Sequence, residues 1–311
     1  MEKGIVIKST GSWYTVKTTK GDIFNCKIRG TYRIKGIRAT SPVAVGDRVE
    51  ISGIEKDNTS VIEKIEERKN YMIRRASNLS KEYQLIASNI DQAWIIASLV
   101  SPKTFLEFID RFLVTAQAYR IPAFIIFNKS DLYKKELLEE LGGLIKLYGD
   151  IGYPSYSVSA KEGKGIDFLK QQLKGKTTLI SGNSGVGKST LINAVHPEVK
   201  LRTGSISDYH KTGKHTTTFA EMVELDSDTF IIDTPGIKGF GVVDFDKGEV
   251  FHFFPEIFKV SGKCQFNNCL HTHEPGCAVK KAVEENEIAS SRYESYLSIL
   301  DLDEGRYRGG R

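Results

Sequence analysis

Long apolar runs are missing from this 311-residue chain. The stretch AWIIASLV, Ala93 to Val100, has only strand length, so no membrane-spanning helix is expected. The opening MEKGIVIKST lacks the apolar core of a secretory signal, and no Arg-rich, acid-poor transit peptide is evident. The expectation is a soluble, cytoplasmic protein without a membrane partner, and a monomer. Internal repeats and low-complexity tracts are also missing. Cysteine is sparse: of four, three (Cys264, Cys269, Cys277) fall within fourteen residues, while Cys26 stands alone in a predicted strand. In a reducing compartment such a cluster favours a metal over disulfides. Acidic residues are scarce at the start, where residues 1–50 hold four against ten Lys and Arg. That excess of six (10 − 4) matches or exceeds the net charge of +5 for the whole chain, so the basic end is amino-terminal. A polyanionic partner is one reading and a solvated face the other.

What is present divides into regions of different rhythm. Residues 1–66 alternate apolar with polar residues in GIVIKS, WYTVKT, DIFNCKI and DRVEIS, with Gly- and Asp-containing turns between them. About five such strands predict a small closed barrel, with the oligonucleotide-binding (OB) fold as the leading form and an SH3-like barrel not excluded. A basic connector follows over 69–84. From about residue 85 strands alternate with helices: QAWIIASLV, a helix from Phe105 to Tyr119, PAFIIF, KKELLEELGGLIKLYG, SYSVSA, GIDFLKQQL and TTLISG. This order predicts a multidomain α/β protein whose central unit, 85–245, is a doubly wound parallel sheet extended by FAEMVEL and TFIID. Residues 246–311 read as an α-rich carboxy-terminal unit, and the barrel unit is taken as 1–68.

Four short motifs sit at strand ends. GNSGVGKST comprises Gly182, Asn183, Ser184, Gly185, Val186, Gly187, Lys188, Ser189 and Thr190, between strand TTLISG and helix KSTLINAV. Its glycines let backbone N–H groups close round phosphates, Lys188 neutralises the β/γ oxygens, and the Ser189 hydroxyl reaches Mg²⁺. DTPG ends strand TFIID; Asp233 is expected to hold Mg²⁺ through water and the Gly236 amide to meet the γ-phosphate. NKSD (Asn128, Lys129, Ser130, Asp131) is expected to choose the base. Asp131 can accept from two adjacent guanine donors, a pair that adenine lacks, while Asn128 and the Lys129 stem hold the ring. SAK (Ser159, Ala160, Lys161) brings the Ala160 amide to the guanine oxygen. Together the four predict a GTP/GDP site. Its parts resemble those of the GTPase superfamily in a permuted order, with the base-reading loop more than fifty residues ahead of the phosphate loop. Loops at the right strand ends suffice for such a site, so chain order is free. The permuted order sets the γ-phosphate-sensing segment directly before the last domain, which suggests a switch linked to a carboxy-terminal reader.

The residue after the DTPG glycine is Ile237, which cannot orient an attacking water. His215, within GKHTTT, is the candidate catalytic group, because an imidazole can orient water near working pH. One of Thr216, Thr217 or Thr218 should complete the Mg²⁺ shell; spacing does not decide which, and Thr217 is the residue assigned beside Ser189 and Asp233. Cys264, Cys269, His271 and Cys277 form C-x4-C-x-H-x5-C, a full set of protein ligands suited to one structural, tetrahedral Zn²⁺. His273 lies close enough to compete with His271.

With these motifs in place, nearly the whole chain resembles the RsgA (YjeQ/YloQ) family of circularly permuted GTPases of small-ribosomal-subunit biogenesis. The resemblance implies an RNA-binding OB barrel, a permuted GTPase domain and a zinc module with this ligand pattern. It points to the same histidine, His215, and it implies the small ribosomal subunit and its rRNA as partners. Hydrolysis would be slow alone, stimulated by the subunit, and would drive release. Trp13, Tyr14 and Tyr32 are candidate stacking residues on the barrel, each also a candidate for its core. The alternative is a GTP-dependent signalling switch whose barrel docks a protein.

Overall fold

The computed structural model describes residues 1–28, 42–53, 59–75, 83–199, 220–233 and 246–307. The amino-terminal strands β1 (Glu2–Ser9), β2 (Tyr14–Thr18), β3 (Ile23–Ile28), β4 (Arg48–Ser52) and β5 (Thr59–Ile65) run in the order β1-β2-β3-β5-β4, and β4 returns to β1. The β3–β5 pair is parallel and the others antiparallel, which makes this an OB-like five-stranded barrel. Period-two alternation does the work: Tyr14, Val16, Phe24, Cys26, Val49, Ile51 and Ile62 form one buried cluster, and the residues between them face outward. Tyr14 is therefore a core residue, its hydroxyl donating to the Gly11 carbonyl, while Trp13 is 40% exposed. Tyr32 lies outside the described residues. The stretch 69–84 carries β6 (Tyr71–Arg75) and the start of β7 (Tyr83–Ser88), an antiparallel pair.

The central sheet follows the order β10-β9-β8-β11-β13-β12, built from β8 (Gln92–Ala97), β9 (Ala123–Phe127), β10 (Ser155–Ser157), β11 (Thr177–Ser181), β12 (Glu221–Asp226) and β13 (Thr229–Asp233). Every pairing except β12–β13 is parallel. Successive β8 residues serve opposite faces. Ile95 joins Phe112, Leu113 and Leu141 under α1 (Leu106–Ala118) and α2 (Lys135–Asp150). Trp94 and Ile96 join Leu169 and Leu191 under α3 (Ile166–Leu173) and α4 (Lys188–Val195). Both faces are covered, so β8 and β11 are buried along their whole length.

One connection was not visible in the sequence pattern. The free edge of β12 pairs with β1 at Lys8↔Glu221, so the barrel and the central sheet form one continuous eleven-stranded sheet. The carboxy-terminal unit is α-rich: α5 (Pro255–Ser261), α6 (Ala278–Glu284) and α7 (Ser290–Tyr307) surround a core that includes Phe254, Ile257, Tyr296 and Val114 of α1. No helix among the described residues is long and apolar enough to cross a membrane.

Candidate functional site

Because β8 to β11 and β13 are parallel, the segments that follow them emerge at the same edge of the sheet. NKSD follows β9, SAK follows β10, GNSGVGKST follows β11, and DTPG begins on the last residue of β13. That edge, the carboxyl ends of parallel strands, is where open α/β sheets hold their ligands.

Asn128 is the residue on which these loops converge. Its backbone N–H donates to the Ala97 carbonyl at 2.8 Å, which continues the β8–β9 ladder and holds the residue at the strand end. Its side-chain amide donates to the Val186 carbonyl of the phosphate loop at 2.9 Å, and its Oδ1 accepts from the Ala160 amide at 3.1 Å. One buried amide thus joins three segments distant in sequence. Lys129 has a left-handed backbone (φ 65°), and its Nζ donates to the carbonyls of Gly185, at 2.7 Å, and Ser101. Ser130 N donates to Val158 O at 3.1 Å, and the Ser159 hydroxyl donates to Asp131 Oδ1 at 2.6 Å. The second Asp131 oxygen has no such donor from Ser159, which leaves the carboxylate able to accept further. Lys161, after Ala160, is exposed.

The phosphate loop needs glycine where the chain runs closest to its neighbours. A Cβ on Gly182 would stand 2.4 Å from the Ile96 carbonyl, and one on Gly187 would stand 2.5 Å from Asn128 Nδ2. Lys188 Nζ donates to the carbonyls of Gly182 at 2.7 Å and Asn183 at 3.0 Å, folded over its own loop. Ser189 lies in the first turn of α4 and is buried, Val186 is buried in the adjoining core, and Thr190 is exposed. Asp233 pairs in register with Ile180, two residues before Gly182, so the end of β13 stands beside the start of the phosphate loop. The Ser189 hydroxyl is a hard oxygen donor of the kind Mg²⁺ takes. Gly236, Ile237, His215, Thr216, Thr217 and Thr218 lie outside the described residues.

In the carboxy-terminal unit, ligand atoms of Cys264, Cys269, His271 and Cys277 lie within 4.8 Å of one another. His271 Nδ1 is 3.5 Å from the sulfurs of both Cys264 and Cys277, which are 4.0 Å apart. Zinc bonds of about 2.3 Å to sulfur and about 2.0–2.1 Å to nitrogen give tetrahedral edges of about 3.5–3.6 Å and about 3.8 Å. The cluster therefore could hold zinc, with Nδ1 as the histidine donor. His273 instead turns its Nδ1 to the Thr272 hydroxyl at 3.0 Å and is absent from the cluster. Burial pushes the Cys269 thiol up to about 12 and the His271 imidazole down, which favours the neutral ring. A cation would supply the charge that such buried thiolates require.

Sequence reasoning missed the groups that shape this loop. Glu274 accepts from the amides of Leu270 (2.8 Å), Thr272 (2.9 Å) and His273 (3.1 Å). Burial alone would raise Glu274, but these backbone donors bring it down to about 2. Tyr293 and Tyr296 of α7 donate to the carbonyls of His271 and Leu270 at 2.5 and 2.7 Å. An acid one residue after a histidine that borders a metal motif was the only available signal.

Comparison with known proteins agrees with this architecture. Residues 65–243 match the RsgA GTPase family, and residues 3–62 match the RsgA N-terminal domain. A small ribosomal subunit biogenesis GTPase RsgA 2 of Bacteroides thetaiotaomicron is 57% identical over 307 residues, covering 98% of this chain and 99% of that protein. The small ribosomal subunit biogenesis GTPase RsgA of Flavobacterium johnsoniae is 53% identical, covering 98% of this chain and 94% of that protein. The crystal structure of YjeQ from Thermotoga maritima superposes with a TM-score of 0.77 at 35% identity, covering 100% of this chain and 99% of that one. That of YloQ, described as a circularly permuted GTPase, gives 0.73 at 31% identity, covering 100% and 97%.

Proposed function

The chain belongs to the RsgA family of GTPases, and from that premise we propose that it binds the small ribosomal subunit and its rRNA and assists late maturation of that subunit. It is a GTP phosphohydrolase, converting GTP and water to GDP and phosphate. Hydrolysis in this reading is slow in the free protein, stimulated by the subunit, and the step that releases it. The observation that carries the nucleotide part is the convergence of NKSD, SAK and the phosphate loop on the Asn128 side chain. The ribosomal part rests on the names of relatives that align over nearly the full length and on the basic barrel. A protein-docking signalling switch is not favoured by those relatives.

Each residue then has a role. Asp131 reads guanine, with Ser159 orienting its carboxylate and Ala160 offering an amide to the base. Asn128, Lys129 and Ser130 frame the ring, Lys161 borders it, and residues 182–190 with Gly236 surround the phosphates. Lys188 trades its two carbonyl partners for phosphate oxygens, a charge-assisted gain. Ser189, Asp233 and Thr217 would hold Mg²⁺, which would neutralise phosphate charge. His215, within GKHTTT, orients the attacking water once the subunit is bound, since positioning is most of what phosphoryl transfer needs. Zinc on Cys264, Cys269, His271 and Cys277 is structural, because four protein ligands leave no open position. We assign 1–68 to the RNA-binding barrel, 69–84 to a basic linker that includes the β6–β7 pair, 85–245 to the GTPase domain and 246–311 to the zinc domain, in a cytoplasmic monomer. Trp13, with Lys27 Nζ 4.4 Å from its ring centroid, is the exposed aromatic best suited to stacking on RNA.

Single-turnover GTP hydrolysis with and without purified small subunits tests this, together with cosedimentation at two salt concentrations. The expected result is subunit-stimulated hydrolysis and binding that depends on nucleotide and weakens with salt. His215→Ala should bind GTP yet lose most of the stimulation. Equal rates with and without subunits, and cosedimentation blind to nucleotide, would overturn the ribosomal reading.

A further inference from the structure

Two residues past Asp131, Tyr133 ends the short 3-10 turn Ser130–Leu132 and is nearly buried, at 7% exposure. Its hydroxyl donates to the Asn128 carbonyl at 2.6 Å and accepts from the Leu99 amide at 3.0 Å, with Ser98 Oγ at 3.4 Å. The first bond closes residues 128–133 on themselves, so the segment that carries Lys129, Ser130 and Asp131 is clasped from end to end. Inside the clasp Leu132 N donates to Lys129 O at 2.9 Å and Tyr133 N to Ser130 O at 3.2 Å.

The second bond ties this segment to the turn that follows β8. That turn is closed by its own contacts: Thr104 N donates to Ser98 O at 2.7 Å, Ser98 N to Thr104 Oγ1 at 3.1 Å, and Ser98 Oγ to Val100 O at 2.6 Å. It reaches both halves of the nucleotide site. The Ser101 carbonyl accepts from Lys129 Nζ, and Pro102 stands 3.4 Å from where a Cβ on Gly185 would lie. Residues 98–104 form a strut between the base-reading and phosphate loops, and the tyrosine hydroxyl is its joint to the former.

A phenol suits this place chemically. It donates its one proton to the buried Asn128 carbonyl and accepts from the buried Leu99 amide, while the Ser98 proton is directed to the Val100 carbonyl and that 3.4 Å approach adds no third bond. Phenylalanine would leave the Asn128 carbonyl and the Leu99 amide without that partner, in residues 2% and 4% exposed. Burial pushes the Tyr133 phenol's pKa up, the Ser98 contact opposing it, so the hydroxyl keeps its proton as a donor.

We propose that Tyr133 is a positioning residue for base selection, holding the Asn128–Asp131 segment at the height where guanine is read. The inference rests on the assignment of NKSD as the base-reading loop. Without the clasp, Asp131 retains its Ser159 contact but loses its fixed spacing from Asn128, so discrimination that depends on two donors of the base suffers most.

The test measures GDP and inosine diphosphate affinities, since inosine lacks the 2-amino donor. Tyr133→Phe should weaken GDP about tenfold and compress the GDP-to-inosine-diphosphate preference several-fold. Tyr148→Phe removes another buried hydroxyl, bonded at 2.8 Å to Asp110, away from these loops, and should lower Tm without moving the preference. An unchanged preference in Tyr133→Phe overturns the proposal even if Tm falls. Should that variant not fold, Ser98→Ala, which loosens the 98–104 turn that presents the Leu99 amide to Tyr133, carries the test, with about twofold compression expected and no change sinking the idea. Asp131→Asn separates the two layers. If Asp131→Asn moves preference to xanthosine diphosphate while Tyr133→Phe changes nothing, the positioning role alone fails. If Asp131→Asn leaves GDP preferred, the reading of NKSD itself fails.

Discussion

The barrel and the zinc-ligand unit are attached to the central sheet by opposite means. The barrel continues the sheet edge: β1 lies along β12, with surface ion pairs Lys8–Glu221 and Lys17–Glu224 beside it. At its root Asp47 accepts from Arg68, the Ser88 hydroxyl and the Ala44 amide. The carboxy-terminal unit docks side chains instead. Arg292 of α7, 1% exposed in its side chain, reaches Asp110 of α1 and Glu256 of α5, each at 2.7 Å, and its guanidinium stacks 4.6 Å from the Phe254 ring centroid. Burial alone would lower Arg292, but the two carboxylates raise it, so it stays charged. A desolvated cation between two acids fixes orientation firmly, because any opening exposes unpaired buried charge. Exposed pairs along an edge strand resist displacement weakly. The difference follows position. β12 begins just after the segment that holds GKHTTT and leads through β13 to DTPG, whereas α1 packs behind the base-reading side. One module is held against the strands that flank GKHTTT and DTPG, the segments proposed to meet the γ-phosphate, and the other against the helix that packs under β8 and β9.

The largest effect should come from the metal cluster, which has no counterpart on the barrel side among the described residues. Cys269→Ala, or chelation, should release zinc and unfold residues around 260–280, as expected when metal binding and folding are one event. GTP binding should persist. A full equivalent of zinc retained by Cys269→Ala would reject the ligand set. Next in size is the buried ion cluster. Arg292→Leu strands Asp110 and Glu256 and should cost about 3–5 kcal/mol, read as a fall in Tm with the barrel's own unfolding unchanged. A loss below about 1 kcal/mol would place this joint in the same class as the surface pairs.

Much of this was legible in the sequence because it is local. Each nucleotide motif lies in one short stretch at a strand end, and barrel strands announce themselves by alternation. What was not legible is what depends on partners far along the chain. Lys8 and Glu221 are 213 positions apart, so no pattern in either could predict that β1 completes the edge of β12. Arg292 sits in SSRYESYLSIL, where an arginine among serines reads as solvent-facing; only the fold brings Asp110 and Glu256 to it. Residues 69–84 read as a connector because charge outweighs alternation there, yet Met72 is buried and Tyr71–Arg75 pairs with Tyr83–Ser88, which begins at the end of that stretch. Tyr133 carried no signal either, since one aromatic after a polar loop marks core as readily as a clasp.

The root of the barrel should respond less than the Arg292 cluster. Asp47→Ala leaves Arg68, whose side chain is 11% exposed and which can still reach the Pro42 carbonyl at 2.7 Å, so part of its charge is answered by water and backbone. A loss of about 1–3 kcal/mol is expected, with faster proteolysis between barrel and sheet. A loss equal to that of Arg292→Leu would erase the distinction between the two joints.

The smallest effect on stability, and the most informative, concerns Lys8 and Lys17. Lys8 and Glu221 are 48% and 38% exposed, and the Lys17–Glu224 pair is about a quarter to a third exposed. Surface pairs of this kind contribute about 0–1 kcal/mol. Lys8→Ala with Lys17→Ala should therefore leave Tm nearly unchanged. Its effect should appear in geometry instead. These are ion pairs along the seam between the barrel and β12, the strand that follows GKHTTT, beside Ile5 and Ile7, which pack on the central core. A donor and acceptor dye placed on the barrel and on α2 should show a narrow distance distribution in the wild type and a broader one in the double variant. High salt should broaden the wild type toward the variant, since exposed pairs are screened over about 8–10 Å at ordinary ionic strength. The same dyes placed on α7 and α2 should show no response to salt, because Arg292 is withdrawn from it. If salt and the double substitution leave the barrel distances as narrow as those of α7, the strand ladder, the Asp47 root and the apolar seam hold the barrel without these pairs, and the two modules are equally rigid despite their different chemistry.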